Sequence, residues 1–389
     1  MMQTEPPPSL LHLFAAFGRL GMTAFGGPSM VAYIRKLAVE KKCWLDAPTF
    51  AGGVALCQMI PGATAMQTAA YVGLTTRGIS GAAASFVGFG LPAFLLMLAF
   101  AILYTYTSDL PIVISAFSGL QAIIVAIVAN ATIMFGRSTI KDWRALAIAV
   151  GAALLFGLNV TPAAVVLAAA LAGLLLVKPK QAPPNRPSVP AQTRTNVVVL
   201  LITLGVVGAG LLLLALIDQT LFELSTLLAR IDLLAFGGGF ASVPLMYHEV
   251  VDVRHWVDSQ TFMNGMVLGQ ITPGPVVITA TFIGYLLGGL PGAVVGTVSV
   301  LLPSFLLVIA IAPYFDRMRA TPAFNKAIGG VLCSFVGLLL VVTIRFAVNI
   351  QWDPAHFVLA ALALAALLYK VDILWVVAAG TLVSILIFR

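Results

Sequence analysis

Charge is what this sequence has least of. Lys, Arg, Asp and Glu make up 9% of its 389 residues, where an ordinary soluble domain carries about 25%. The little charge present is clustered: residues 78–108, 110–136, 145–177, 195–217 and 259–315 contain none. Because ~20 apolar residues span a bilayer core, these runs are membrane-embedded. A soluble enzyme, a nucleic-acid binder and a disordered chain are thereby excluded. Cysteine is nearly absent too. Cys43, Cys57 and Cys333 lie far apart without a CxxC spacing, which predicts no structural disulfide. His12, His248, His255 and His356 are scattered, so no metal site and no cofactor is expected. No HExxH, P-loop or GxSxG stretch occurs, leaving no catalytic group and no ATP-binding domain. Met1–Ser9 lacks a basic segment and a small-residue cleavage site, which predicts no cleaved signal.

What is abundant is Gly, at 35 residues, and Pro, at 22. In so apolar a chain they point to broken or closely packed helices. Their placement reveals a duplication. Ala24–Gly27 (AFGG) recurs at Ala235–Gly238, and Arg19 falls on Arg230 at the same offset of 211. After a one-residue shift, Trp44, Asp46, Phe50 and Gly53 meet Trp256, Asp258, Phe262 and Gly265. Gln58-x-x-Pro61-Gly62 then meets Gln270-x-x-Pro273-Gly274. The offset returns to 211 for Gly73, Gly81, Pro92, Gly119, Thr132 and Asp142 against Gly284, Gly292, Pro303, Gly330, Thr343 and Asp353. Apolar coincidences are cheap, but Arg, Trp, Asp, Gln and Pro-Gly in one order are not.

The sequence therefore divides into a first repeat (1–177), a basic Pro-rich linker with a connecting transmembrane helix (178–217), and a second repeat (218–389). In the first repeat, segments 10–36 and 47–77 are broken at Gly26-Gly27-Pro28 and Pro61-Gly62. Each either re-enters or crosses as a broken helix. In both cases one unpaired span, Asn196–Ile217, inverts the second repeat. With re-entrant segments and a cytoplasmic N-terminus, sixteen of the 21 Lys and Arg lie inside; Arg254, Arg345 and Arg389 lie outside. Full crossings give thirteen against six, so the re-entrant version fits the positive-inside rule better. The expected fold is an all-α polytopic membrane protein of two inverted repeats, with broken or re-entrant helices.

Inverted repeats with discontinuous helices characterise secondary transporters, whose substrate sits near the midplane. A half-helix starting at Pro28 or Gly62 presents unpaired N–H groups and the positive end of its dipole, a ready anion site. The candidate ligands are Gly26, Gly27, Pro28, Ser29, Gln58, Pro61, Gly62 and Thr64, then Gly237, Gly238, Gly239, Gln270, Thr272, Pro273 and Gly274. Gln67, Thr68, Ser242 and Thr279 are further neutral hydrogen-bonders nearby. Against this, glycines also serve helix packing, and Ser or Thr also bond their own backbone. Arg19 and Arg230 each stand six residues before FGG in an apolar stretch. Each either forks an oxyanion or reaches a headgroup or carboxylate, Asp232 being the obvious partner of Arg230. His248 and Glu249 have no polar counterpart in the first repeat; they either carry a coupling proton or are interfacial. The expected substrate is a tetrahedral oxyanion.

Phe25-Gly26-Gly27-Pro28, Trp44-x-Asp46 and Gln58-x-x-Pro61-Gly62, with their second-half counterparts, resemble the signature of the chromate ion transporter family. The likeness covers nearly the whole chain and its long, two-domain members. It implies antiparallel homologous halves and export of chromate across the bacterial inner membrane, driven by the proton-motive force. One departure is Gly239 where the first half has Pro28. Physics alone stops at chromate or a sulfate-like oxyanion, so the alternative is a sulfate or other inorganic anion carrier or channel. A membrane enzyme and a structural subunit are the remaining classes. Lipid is an expected partner, a homodimer is a compatible assembly, and nucleic acid is not expected.

Overall fold

The computed structural model describes residues 8–25, 29–177 and 193–388. The glycine-proline break at 26–28, most of the linker and most of the N-terminal nine residues thus lie outside the described residues. The rest is all-α, and no strand forms among the described residues. Five helical stretches are long and apolar enough to cross a membrane: Thr64–Thr107, Pro111–Thr139, Val198–Ile217, Val276–Ala320 and Pro322–Val348. The chain is a multi-pass membrane protein.

The first half opens with α1 (Leu10–Gly21) and α2 (Ser29–Arg35), the latter extended by a π-helical turn over Lys36–Lys41. The Trp44 ring stacks on Phe17 at 6.3 Å and meets His12 edge-on at 5.7 Å. The chain therefore returns to the level where α1 began, as a re-entrant hairpin does. Next come α3 (Ala47–Met59) and α4 (Thr64–Thr107). Tyr71 on α4 packs its ring over Gly53 of α3, and its hydroxyl donates to the Thr49 carbonyl at 3.5 Å. A straight helix over 49–71 would hold those residues about 33 Å apart, so this pair is a second re-entrant hairpin. Helix α4 then folds on itself at Arg77–Gly78, where Gly78 takes φ 67°. As a result, Ser85 Oγ donates to the Ala69 carbonyl at 2.7 Å. Three helices complete the half: α5 (Pro111–Thr139), α6 (Trp143–Gly157) and α7 (Pro162–Leu176).

After the connecting helix α8 (Thr193–Ile217), the plan repeats with α9 (Gln219–Leu234), α10 (Ser242–Tyr247), α11 (Ser259–Ile271) and α12 (Thr279–Ile311). The short α13 (Phe315–Ala320), α14 (Pro322–Val348), α15 (Pro354–Leu368) and α16 (Ile373–Ile387) follow. Even the irregularities recur. A π-helical turn spans His248–Val253, Gly289 repeats the fold of Gly78, and His255 repeats the positive φ of Cys43.

Matching helices run antiparallel. Thr132 and Thr343, equivalent residues of α5 and α14, touch through their hydroxyls at 3.3 Å, and Gly136 faces Val336. Partners thus descend along α14 as residues ascend along α5. The pseudo-two-fold axis relating the halves is perpendicular to these spans and so lies in the membrane plane. Helices α6 and α7 pack on α14, while α15 and α16 pack on α5, so each half clasps the long helix of the other.

The repeated aspartates prove to be helix caps. Asp46, Asp142, Asp258 and Asp353 accept the N–H of Thr49, Ala145, Thr261 and His356 at 2.9, 2.9, 2.6 and 2.8 Å. Asp46→Ala and Asp258→Ala are each expected to cost about 1 kcal/mol, with the Asn variants close to wild type. The thermal unfolding midpoint in detergent checks this.

Candidate functional site

The hairpin tips of both halves meet at the centre, and they are stitched together reciprocally. The Gly62 N–H donates to the Ala235 carbonyl at 2.9 Å, and the Gly274 N–H donates to the Ala24 carbonyl at 3.1 Å. Tight reversal at these tips needs backbone that only glycine adopts easily: φ is 113° at Gly62, 97° at Gly237, 99° at Gly238 and 132° at Gly274. Pro61 and Phe236 pair as an isolated bridge between the two tips. Pro273 is buried in its own tip.

A cavity of 1210 Å³ opens from these tips toward one side of the molecule. Its inner end is formed by Ala63 and Thr64 at the start of α4, by Gly237, Gly238 and Gly239, and by Pro275 and Val276. Gln58 lines it from α3. Helix α4 starts without a side-chain cap, its N-cap being Ala63, so the positive end of its dipole faces this space. Arg35, Lys141 and Arg319 line the same cavity, against a single carboxylate, Asp142. A cleft dominated by one sign of charge concentrates the opposite ion. In the sequence these three cations register only as topology signals.

The structure revises the predicted ligand set in several places. The Gly62 and Gly274 amides are committed to the opposite repeat, so they are not free to hold an anion. Thr68, Ser242, Thr272 and Thr279 donate to backbone carbonyls of their own segments, at 2.7, 2.6, 2.8 and 3.0 Å; the helix-bonding reading holds for them. Gln270 is buried with no partner for its Nε2 among the described residues, unlike its open counterpart Gln58. Gly26, Gly27, Pro28 and the Ser29 side chain lie outside the described residues. Neither Arg19 nor Arg230 reaches the large cavity. Arg19 faces a separate 750 Å³ surface cleft with Lys41 and Lys42, because its position on α1 turns it outward.

Arg230 also does not pair with Asp232. It is bonded to Glu249, which binds Arg254 with its other oxygen. Two arginines hold that carboxylate in place, and His248, 4% exposed, sits with Nδ1 3.5 Å from Asp252. Asp232 instead points inward to Ser304. No group of three or more metal-ligating side chains occurs among the described residues.

The two sides of the tip junction differ. Helix α11 packs against α5 and α16. There Gln121 Nε2 donates to Asn264 Oδ1 at 2.9 Å, and Asn264 Nδ2 donates to the Tyr104 hydroxyl at 3.1 Å. Phe117 and Phe282 close round Tyr104, with ring centroids 5.6 and 5.1 Å away. Repeat symmetry places Gly52, Leu332 and Phe315 at the corresponding positions. Leu332 lines the open cavity, and α3 faces α14 across it. One side is open where its mirror image is shut.

The sequence model of chromate transporters matches residues 11–174 and again 222–385, once per half. The chain belongs to the chromate transporter family. It is a membrane transporter of an oxyanion, not an enzyme. It is 41% identical over 388 residues to an uncharacterised transporter of Methanocaldococcus jannaschii, covering 99% of this chain and 96% of that one. It is 31% identical over 368 residues to the chromate transport protein of Cupriavidus metallidurans, covering 94% and 90%. Against the chromate transport protein of Pseudomonas aeruginosa the identity is 29% over 422 residues, covering 98% and 94%. No solved structure matches the chain.

Proposed function

We propose that this protein exports chromate across the inner (cytoplasmic) membrane by alternating access, with the present conformation open to the cytoplasm. The observation that carries this reading is the asymmetry of the tip junction. A cavity lined by Arg35, Lys141 and Arg319 reaches the tips from one side, and the Gln121–Asn264–Tyr104 network seals the other. All three cations belong to the cytoplasmic set of the charge count. Exchange of the two conformations between symmetry-related halves would open the opposite side.

Chromate binds in this reading at the start of α4, with Gln58 as the side-chain donor and Gly237, Gly238 and Gly239 as close-approaching backbone; the Thr64 hydroxyl donates to the Cys57 carbonyl at 3.4 Å. The chromate transport proteins among the relatives favour chromate over sulfate, whose tetrahedral shape and charge the same donors would suit. An interior-negative potential favours export: each charge contributes about 2.3 kcal/mol per 100 mV, and a dianion about twice that.

The test is purified protein in liposomes, with labelled chromate and sulfate flux measured under imposed voltage and pH gradients. Voltage-dependent chromate flux is expected. Flux of sulfate but not chromate would assign the chain to the other substrate, and no flux of either would overturn the reading.

A further inference from the structure

Asp232 is the one carboxyl with no exposed surface among the described residues, and it stands in the tip junction itself. It lies in the last turn of α9. Its Oδ1 accepts from Ser304 Oγ at 3.0 Å, and the same hydroxyl accepts the Ala63 N–H at 2.9 Å. Its Oδ2 has no partner among the described residues. The duplication does not explain it, since Gly21 and Ala93 occupy the positions equivalent to Asp232 and Ser304. This carboxyl is an addition made in one half only.

No cation answers it among the described residues. Arg230, two residues earlier on α9, is taken by Glu249. Helices α12, α10 and α8 pack against α9. The titratable residues of these helices are Tyr285 on α12, Tyr247 on α10 and Arg194 in the first turn of α8. The tip segment 60–67 and the break at 22–28 contain no titratable group; farther along α4 come Tyr71, Arg77, Tyr104 and Tyr106. An unpaired carboxylate held away from water is costly. That cost leaves the ionised form weakly held, so one further negative charge nearby is enough to bring a proton onto Oδ2. A metal ion does not fit, because one carboxylate and one hydroxyl are too few oxygens to replace its hydration shell.

We infer that Asp232 is the proton-binding site of the transport cycle, taking up one proton when chromate binds and carrying it with the anion. This rests on the oxyanion-transport reading above. The link is short and physical. Ala63, whose amide bonds Ser304, precedes Thr64 on the inner end of the cavity, so two hydrogen bonds separate the carboxyl from the start of α4. A dianion seated there repels an ionised Asp232 across poorly screened protein. Anion binding and protonation therefore favour each other, and by linkage the effect is reciprocal. The Oδ2–H bond forms on binding and breaks on release, with the proton drawn from and returned to solvent. Chromate and proton together carry one net negative charge, so the membrane potential, not the pH gradient, drives export. Ionised Asp232 makes the Ser304 bond charge-assisted and the neutral acid weakens it, which ties protonation to the grip between the first-half tip and α12.

The experiment titrates purified protein with sodium chromate in weakly buffered, mildly alkaline detergent solution, where free chromate is the dianion. Bound chromate and solution pH are recorded together. Wild type is expected to take up close to one proton per bound anion, and Asp232→Asn to bind chromate with that uptake lost. His248→Ala and Glu249→Gln are expected to retain it. Binding without uptake in wild type, or undiminished uptake in Asp232→Asn, overturns the inference and leaves the transport reading standing. No chromate binding by wild type overturns the transport reading and this inference with it. If Asp232→Asn does not accumulate, infrared difference spectra of wild type decide. Chromate must then induce a protonated-carboxyl band that shifts with isotope-labelled aspartate, and its absence overturns the inference.

Discussion

Gly62→Ala is expected to destabilise the protein by about 2–6 kcal/mol, the sum of two independent penalties. The backbone there sits at φ 113°, a conformation that costs a side-chain-bearing residue on the order of 1–3 kcal/mol. A Cβ built on it would stand 2.0 Å from Ser304 Oγ and 2.8 Å from Gln67 Nε2, an overlap worth about another 1–3 kcal/mol. Neither neighbour moves freely. Ser304 is bonded to both Ala63 and Asp232, and Gln67 Nε2 donates to the Pro61 carbonyl at 2.5 Å. Relief by backbone movement would break the Gly62–Ala235 bond that joins the repeats. The control is Gly151→Ala on α6, where a Cβ meets nothing within 4 Å. Helix propensity predicts neutrality or a gain of up to about 1 kcal/mol there. Thermal unfolding in detergent separates the two variants, and equal midpoints would refute the tip geometry.

Locking the closed side is expected to abolish transport altogether. Gln121→Cys with Asn264→Cys places two thiols where a hydrogen bond now joins α5 to α11. The background needs Cys43→Ser, Cys57→Ala and Cys333→Ala, because Cys43 is exposed and Cys333 lines the cavity. Bridging the pair with a short thiol crosslinker should reduce chromate flux to that of empty liposomes. Chromate binding should persist, since the open cavity is untouched. Loss of flux with binding retained is what alternating access requires, because one conformation then cannot convert to the other. Undiminished flux after complete crosslinking would mean that this network never opens during transport.

The sequence carried the architecture for a simple reason: bilayer physics acts locally. Charge-free runs, helix breakers and the sidedness of Lys and Arg report on each segment alone, and duplication makes every report appear twice. Thus the breaks at Pro61-Gly62 and Pro273-Gly274, the connecting span and the inversion are all legible in the sequence, while the return of each broken segment as a hairpin is not. Roles that depend on what lies opposite were not. Asp46 and Asp258 stood out as a repeated pair, yet their function as caps lies in amides three residues on. Arg230 invited pairing with Asp232, two residues away in sequence. On a helix, however, residues two apart point in different directions, so Arg230 turned outward to Glu249 and Asp232 inward to Ser304, 72 residues distant. Likewise Arg35, Lys141 and Arg319 come from three separate segments, and only packing gathers them round one cavity. Sequence by itself determined the solvent, the repeat and the sign of the substrate's charge. Tertiary structure alone decided which donors remain free for it, because a hydrogen bond across the repeat interface uses up a group that the sequence lists as available.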